Sequence, residues 1–134
     1  MSHIIGIGVD IVEISRIKSI LKQHGEHFIS RVFTENEKKY SMSAANSAER
    51  FAGRFAVKEA VIKALGIGVN TGITWHDIET IRGASGKPSV RLRNQALRFL
   101  KQKGGGGNAI HVSIAHDGGK AIAFVVMERA EEKK

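Results

Sequence analysis

The chain contains no cysteine, so disulfides and thiolate metal sites are excluded. Aromatic residues make up only 6%, too few for the stacking platform of a single-strand nucleic-acid reader. No apolar run approaches the roughly 20 residues of a membrane span. The opening apolar stretch is short, has no basic leader and is broken by Asp10, which makes it a poor signal peptide. These features predict a cytoplasmic protein with neither nucleic acid nor membrane as a partner. Acid is also missing locally. None occurs between Glu79 and Asp117, a stretch that holds Arg82, Lys87, Arg91, Arg93, Arg98, Lys101 and Lys103.

What is present fits one domain over residues 1–134, with a tail at 129–134 expected to be mobile. Hydrophobic residues are 42%, charged residues 25%, and the net charge is +8. A basic balance attracts phosphates, nucleic acid, anionic lipid or an acidic protein, and its sign alone does not choose among them. A solvated basic face is the bland alternative.

The hydrophobic period predicts a strand over 3–10, then a helix over 11–24 that stops at Gly25. Thr34 and Glu37 form a capping box for a second helix, and Asn46 with Glu49 repeats that logic for a third. Segments 77–83 and 88–93 read as a hairpin around "ASGK". A short helix at 94–103, capped by Asn94, is released by glycines 104–107. Segments 109–116 and 120–128 form a second hairpin around "DGG". The expected fold is α+β, with helices packed on a largely antiparallel sheet.

The third helix carries the chemical question. Residues 51–65 are apolar nearly all round, yet Arg54, Lys58, Glu59 and Lys63 are set into them. Glu59 and Lys63 at i, i+4 can form a simple ion pair of only about 0.2–0.5 kcal/mol, and Lys58 can snorkel. Asp10 can cap the first helix. Alternatively, Asp10 and Glu59 form a minimal oxygen-ligand site for Mg²⁺, completed by waters and substrate phosphates, with Arg54, Lys58 and Lys63 around those phosphates. That requires the helix to lie on the first strand.

"GIGVDIVEISRI" (6–17) and "FAGRFAVKEAVIKALG" (51–66) resemble the two signature segments of the holo-acyl-carrier-protein synthases, small bacterial phosphopantetheinyl transferases. The likeness continues through "GITWHDIE" (72–79), "GKP" (86–88) and "HVSIAHD" (111–117). The resemblance implies transfer of 4′-phosphopantetheine from coenzyme A to a serine of apo acyl carrier protein, in support of fatty acid synthesis. It implies Asp10 and Glu59 as Mg²⁺ ligands, and Lys63 and Arg54 at the coenzyme's phosphates. It places Gly86, Lys87 and Pro88 along the adenosine and His116 near a nucleotide phosphate. Without it, the 85–88 loop is a plain hairpin turn and His116 a structural histidine. Arg16 matches an arginine that contacts the carrier. Lys18 and Lys22 extend that carrier-binding patch, while a second such arginine is absent, Lys22 or Gln23 taking its place, and lysine lacks the guanidinium fork. Relatives of this length are homotrimers with sites built between subunits. The group that takes the serine proton is Glu59, a metal-bound water or a water held by Asp10, with a metal-bound water favoured because a metal lowers its pKa. Two rival readings, a basic nucleic-acid-binding domain and a non-catalytic nucleotide-binding scaffold, remain to be separated by assay.

Overall fold

The computed structural model describes residues 3–68, 71–106 and 109–129. The chain runs β1 (Ile4–Glu13), α1 (Ile14–Val32), α2 (Glu35–Met42), α3 (Ser47–Leu65), a 3₁₀ turn (Trp75–Asp77), β2 (Ile78–Arg82), β3 (Pro88–Leu92), α4 (Asn94–Gln102), β4 (Ile110–Asp117) and β5 (Lys120–Glu128). β1, β5 and β4 form one antiparallel sheet in that spatial order, and β2 pairs antiparallel with β3. The expected α+β order is the one observed.

α3 is apolar all round because it lies inside the protein. Phe51, Ala52, Ala56, Val57, Ala60, Val61 and Ala64 are buried, against Ala121, Ala123, Val125 and Met127 of β5 among others. Two glycines bring α3 onto β1. A Cβ on Gly6 would stand 2.1 Å from the Ala64 carbonyl oxygen, and one on Gly8 1.9 Å from that of Ala60. No side chain fits there, so Gly6 and Gly8 let the backbones touch. Strand alternation puts Asp10 on the same face.

Three local expectations change. β1 continues to Glu13, α1 begins only at Ile14, and the helix passes Gly25 to Val32 with a kink at His24 (φ −139°, ψ 33°). Beyond the glycine, Phe28, Ile29 and Val32 join the core. That packing outweighs the ~1 kcal/mol that glycine costs a helix. Asp10 is therefore inside the strand and caps nothing. Asn46 occupies the N-cap of α3, but its amide donates to the Glu49 carboxylate at 3.0 Å and caps no backbone N–H. Asn94 lies inside α4, after the cap Arg93, at φ 51°, with its amide on Asp77 at 3.3 Å. Asparagine tolerates that left-handed conformation better than most residues.

The Thr34–Glu37 capping box forms as expected. Gly118 and Gly119, both at positive φ, make the two-residue turn between β4 and β5. At the start of the expected mobile tail, the Arg129 N–H donates to the His3 carbonyl at 2.8 Å. Residues 130–134 and Gly107 lie outside the described residues. No helix among the described residues is long and apolar enough to cross a membrane.

Candidate active site

Asp10 and Glu59 do meet. Both line a cleft of about 610 Å³ between β1, α1 and α3, together with Arg16 and the apolar Ile17, Ile20, Phe28 and Phe55. Lys63 donates to Asp10 Oδ1 and to the Val9 carbonyl, both at 3.0 Å. A simple ion pair between Glu59 and Lys63, the alternative reading, is not formed, since the lysine reaches across to the strand instead. Glu59 is half-buried and has no hydrogen-bond or ion-pair partner among the described residues. Its burial, and then the charge of Asp10, push its carboxyl above the usual range, while Lys63 pulls the other way.

A half-buried carboxylate without a partner, beside a second carboxylate, is a site of excess negative charge open to solvent. Hard oxygen donors of this kind fit Mg²⁺, which keeps its waters and takes further ligands from phosphates. No group of three or more His, Cys, Asp or Glu side chains placed to hold a metal occurs among the described residues, so the protein alone offers no complete cage.

Lys58, the neighbour of Glu59, belongs elsewhere. It is 0% exposed, and its ammonium donates to Glu37 at 2.8 Å, to the Trp75 carbonyl at 2.9 Å and to the Ile78 carbonyl. Burial pushes Lys58 below its ordinary value, and Glu37 and then Glu79 oppose that push. All three donors are in use. The placement of Lys58 around phosphates is therefore corrected, because it has neither exposure nor a donor to spare.

A second group gathers toward the N-terminal half of α3. Arg54 is 6% exposed and its Nε has no partner. The guanidinium carbons of Arg50, Arg54 and Arg82 stand 4.1, 4.0 and 5.2 Å from the Tyr40 ring centroid, and Arg82 donates to the Tyr40 hydroxyl. Burial pushes Arg54 below its ordinary value; Tyr40 and Glu37 oppose, and Arg50 and Arg82 add to the push. None of the three arginines has a carboxylate partner among the described residues. Gly86, at φ 83°, brings the β2–β3 loop close to the Arg82 guanidinium. Lys87 is exposed in that loop and Pro88 begins β3 opposite Arg82. His116 ends the inner face of β4, where its Nε2 donates to the Glu49 carbonyl at 3.2 Å.

The site residues named from the sequence thus fall into two groups. Asp10, Glu59 and Arg16 line the cleft and Lys63 is joined to them through Asp10, whereas Arg54, Gly86 and His116 lie outside it. Arg54 and Glu59 are roughly 140° apart around α3, so one side chain faces α2 and the other β1. Lys22 is exposed on α1, roughly 120° around the helix from Arg16 and off the cleft's lining. Sequence reasoning missed the apolar lining of the cleft. The i, i+4 pair Arg16 and Ile20 carried that signal, but it reads equally well as ordinary core.

The sequence signature of the 4′-phosphopantetheinyl transferase superfamily matches residues 6–124. A holo-[acyl-carrier-protein] synthase of Koribacter versatilis is 42% identical over 125 residues, 93% of this chain and 98% of that protein. The crystal structure of the holo-[acyl-carrier-protein] synthase of Neisseria meningitidis is similar with a TM-score of 0.83 and 31% identity, covering 95% of this chain and all of that one. The Helicobacter pylori enzyme, solved in complex with coenzyme A, gives a TM-score of 0.77 and 30% identity over 90% of this chain and 98% of that one. By sequence signature, identity and fold together, the chain belongs to the holo-acyl-carrier-protein synthases, a group within the 4′-phosphopantetheinyl transferase superfamily.

Proposed function

We propose that the chain transfers 4′-phosphopantetheine from coenzyme A to a serine hydroxyl of an apo acyl carrier protein, with Mg²⁺ held by Asp10 and Glu59. The observation that carries this is the partnerless Glu59 carboxylate beside Asp10 in an open cleft. In the reaction the serine oxygen bonds to the pantetheine-side phosphorus, the bond from that phosphorus to the bridging oxygen breaks, and adenosine 3′,5′-bisphosphate leaves with it. Such a transfer depends mainly on positioning and charge neutralisation. When bound, Mg²⁺ supplies neutralisation of the pyrophosphate charge. Lys63 holds Asp10 in place and offers its remaining donor to the phosphates. The serine proton leaves to a water at the carboxylates.

The carrier, a small acidic protein, docks over the cleft. Arg16 of the cleft meets its acids, Ile20, Phe28 and Phe55 offer an apolar floor, and Lys22 adds only long-range attraction.

The nucleotide end goes to the second group. The buried Arg54 guanidinium, reinforced by Arg50 and Arg82, suits a phosphate, with Gly86, Lys87 and Pro88 along the adenosine and His116 nearby. Because this group faces away from the cleft, a complete site takes one half from each of two copies. The outer face of the β1–β5–β4 sheet supports assembly. Ile7, Val9, Ile11 and Phe124 are 56%, 46%, 59% and 44% exposed on neighbouring strands. A homotrimer in the cytoplasm is the arrangement proposed.

The test is incubation with apo acyl carrier protein, coenzyme A and Mg²⁺, followed by mass spectrometry. A carrier heavier by one phosphopantetheine is expected, and an unchanged carrier overturns the reading. A monomeric mass by light scattering would sink the shared site.

A further inference from the structure

α3 ends on Gly66, in the left-handed conformation (φ 68°), with its N–H on the Lys63 carbonyl at 3.0 Å. α4 arrives at the same place from the other side. Its last turn is closed by Lys103, after which the chain reverses at Gly104 (φ 94°). The Lys103 ammonium lies 3.7 Å from where a Gly66 side chain would begin, and among the described residues, its chain neighbours aside, no other group reaches within 4 Å of that point. Lys103 is exposed and has no hydrogen bond or ion pair from its ammonium among the described residues. It also closes the run of cations in the acid-free stretch of the sequence, which the site described so far uses only in part.

Charge explains why a lysine there has work to do. The C-terminal end of a long helix carries about half a negative charge. Asp10 and Glu59 add two carboxylates on the strand side of that half of α3. A pyrophosphate brings two more negative charges, and coenzyme A a further phosphate. A divalent ion and Lys63 together leave this sum negative. The Lys103 ammonium stands at Gly66, seven residues or roughly 10 Å of helix beyond Glu59.

We propose that Lys103 is a second phosphate-binding lysine, reaching from α4 across the end of α3 to the anionic part of coenzyme A. The inference rests on the transferase reading above. The alternative is that Lys103 only offsets the dipole of α3, a role that needs no ligand.

Isothermal titration in Mg²⁺ separates these, with coenzyme A and 3′-dephospho-coenzyme A as ligands. Lys103→Met should bind coenzyme A roughly threefold to tenfold more weakly than the wild type, with the gap closing as salt is raised and Lys103→Arg restoring most of it. A loss confined to coenzyme A assigns Lys103 to the 3′-phosphate. A loss shared with the dephospho ligand assigns it to the pyrophosphate. Wild-type affinity in Lys103→Met at low salt overturns the inference, whether or not the melting temperature drops. A wild-type protein that binds neither ligand overturns the transferase reading and this inference with it.

Discussion

Lys58 and Glu59 are neighbours on one helix and end in opposite surroundings. Lys58 is sealed from water with every donor used, on Glu37, Trp75 and Ile78. Glu59 is half-buried, near a like charge, and has no partner among the described residues. The first arrangement satisfies a charge within the fold and ties α3 to α2 and β2. The second leaves a charge without a protein partner, open to water and to a cation. Both residues interrupt an apolar helix and look alike in the sequence. The number of partners, more than burial, separates the structural charge from the one proposed to bind a ligand.

The largest effect should come from breaking the satisfied side. Lys58→Met leaves the Glu37 carboxylate buried without its cation, which costs about 3–5 kcal/mol in urea unfolding. Glu37→Gln should also destabilise. The double variant should be better than the sum of the singles by about 0.5–3 kcal/mol, because the two groups are in contact. Strict additivity would mean that the pair is not coupled. At a temperature where Lys58→Met stays folded, its transfer rate should fall less than that of any variant at Glu59.

The unsatisfied side should behave in reverse. Asp10→Ala and Glu59→Ala should each lower transfer by at least about a hundredfold while thermal melts stay near wild type. The double variant should be little worse than either single, because residues that act as a unit are not additive. Independent, multiplicative losses would argue against a shared ion.

The sequence made the local features legible. The Thr34–Glu37 box, the two hairpins and the order of elements all rest on residues a few positions apart. The α+β fold followed from their sum. What stayed hidden depended on distant partners. Glu37 serves its own helix cap, and it also accepts from Lys58 and from the Thr80 N–H. Nothing within α2 announces the second duty. The helix beyond Gly25 was hidden because Phe28 and Ile29 obtain their stability from the core. The meeting of Asp10 with Glu59 was half legible. Gly6, Gly8 and Asp10 share one strand face, but the need for glycine shows only when the Ala60 and Ala64 carbonyls are in place.

Lys63 stands between the two regimes and gives the finest test of the comparison. It is 54% exposed on its side chain, yet bonded to Asp10 and to the Val9 carbonyl. As an exposed peg holding α3 to β1, it contributes at most about 1 kcal/mol. As a phosphate ligand in a charged cleft, it makes a charge-assisted hydrogen bond of about 1.5–3 kcal/mol, a roughly tenfold to hundredfold effect. An ammonium has three donors, and two of these are used within the protein, so one is left for a phosphate. Lys63→Met keeps the unbranched apolar stem of the side chain and removes the ammonium with its charge and donors. It should weaken coenzyme A binding or turnover by at least about tenfold, with a melting temperature close to wild type. A lowered melting temperature with normal coenzyme A kinetics would make Lys63 a structural residue like Lys58. The proposed ligand groups on the face of α3 toward β1 would then reduce to Glu59 alone.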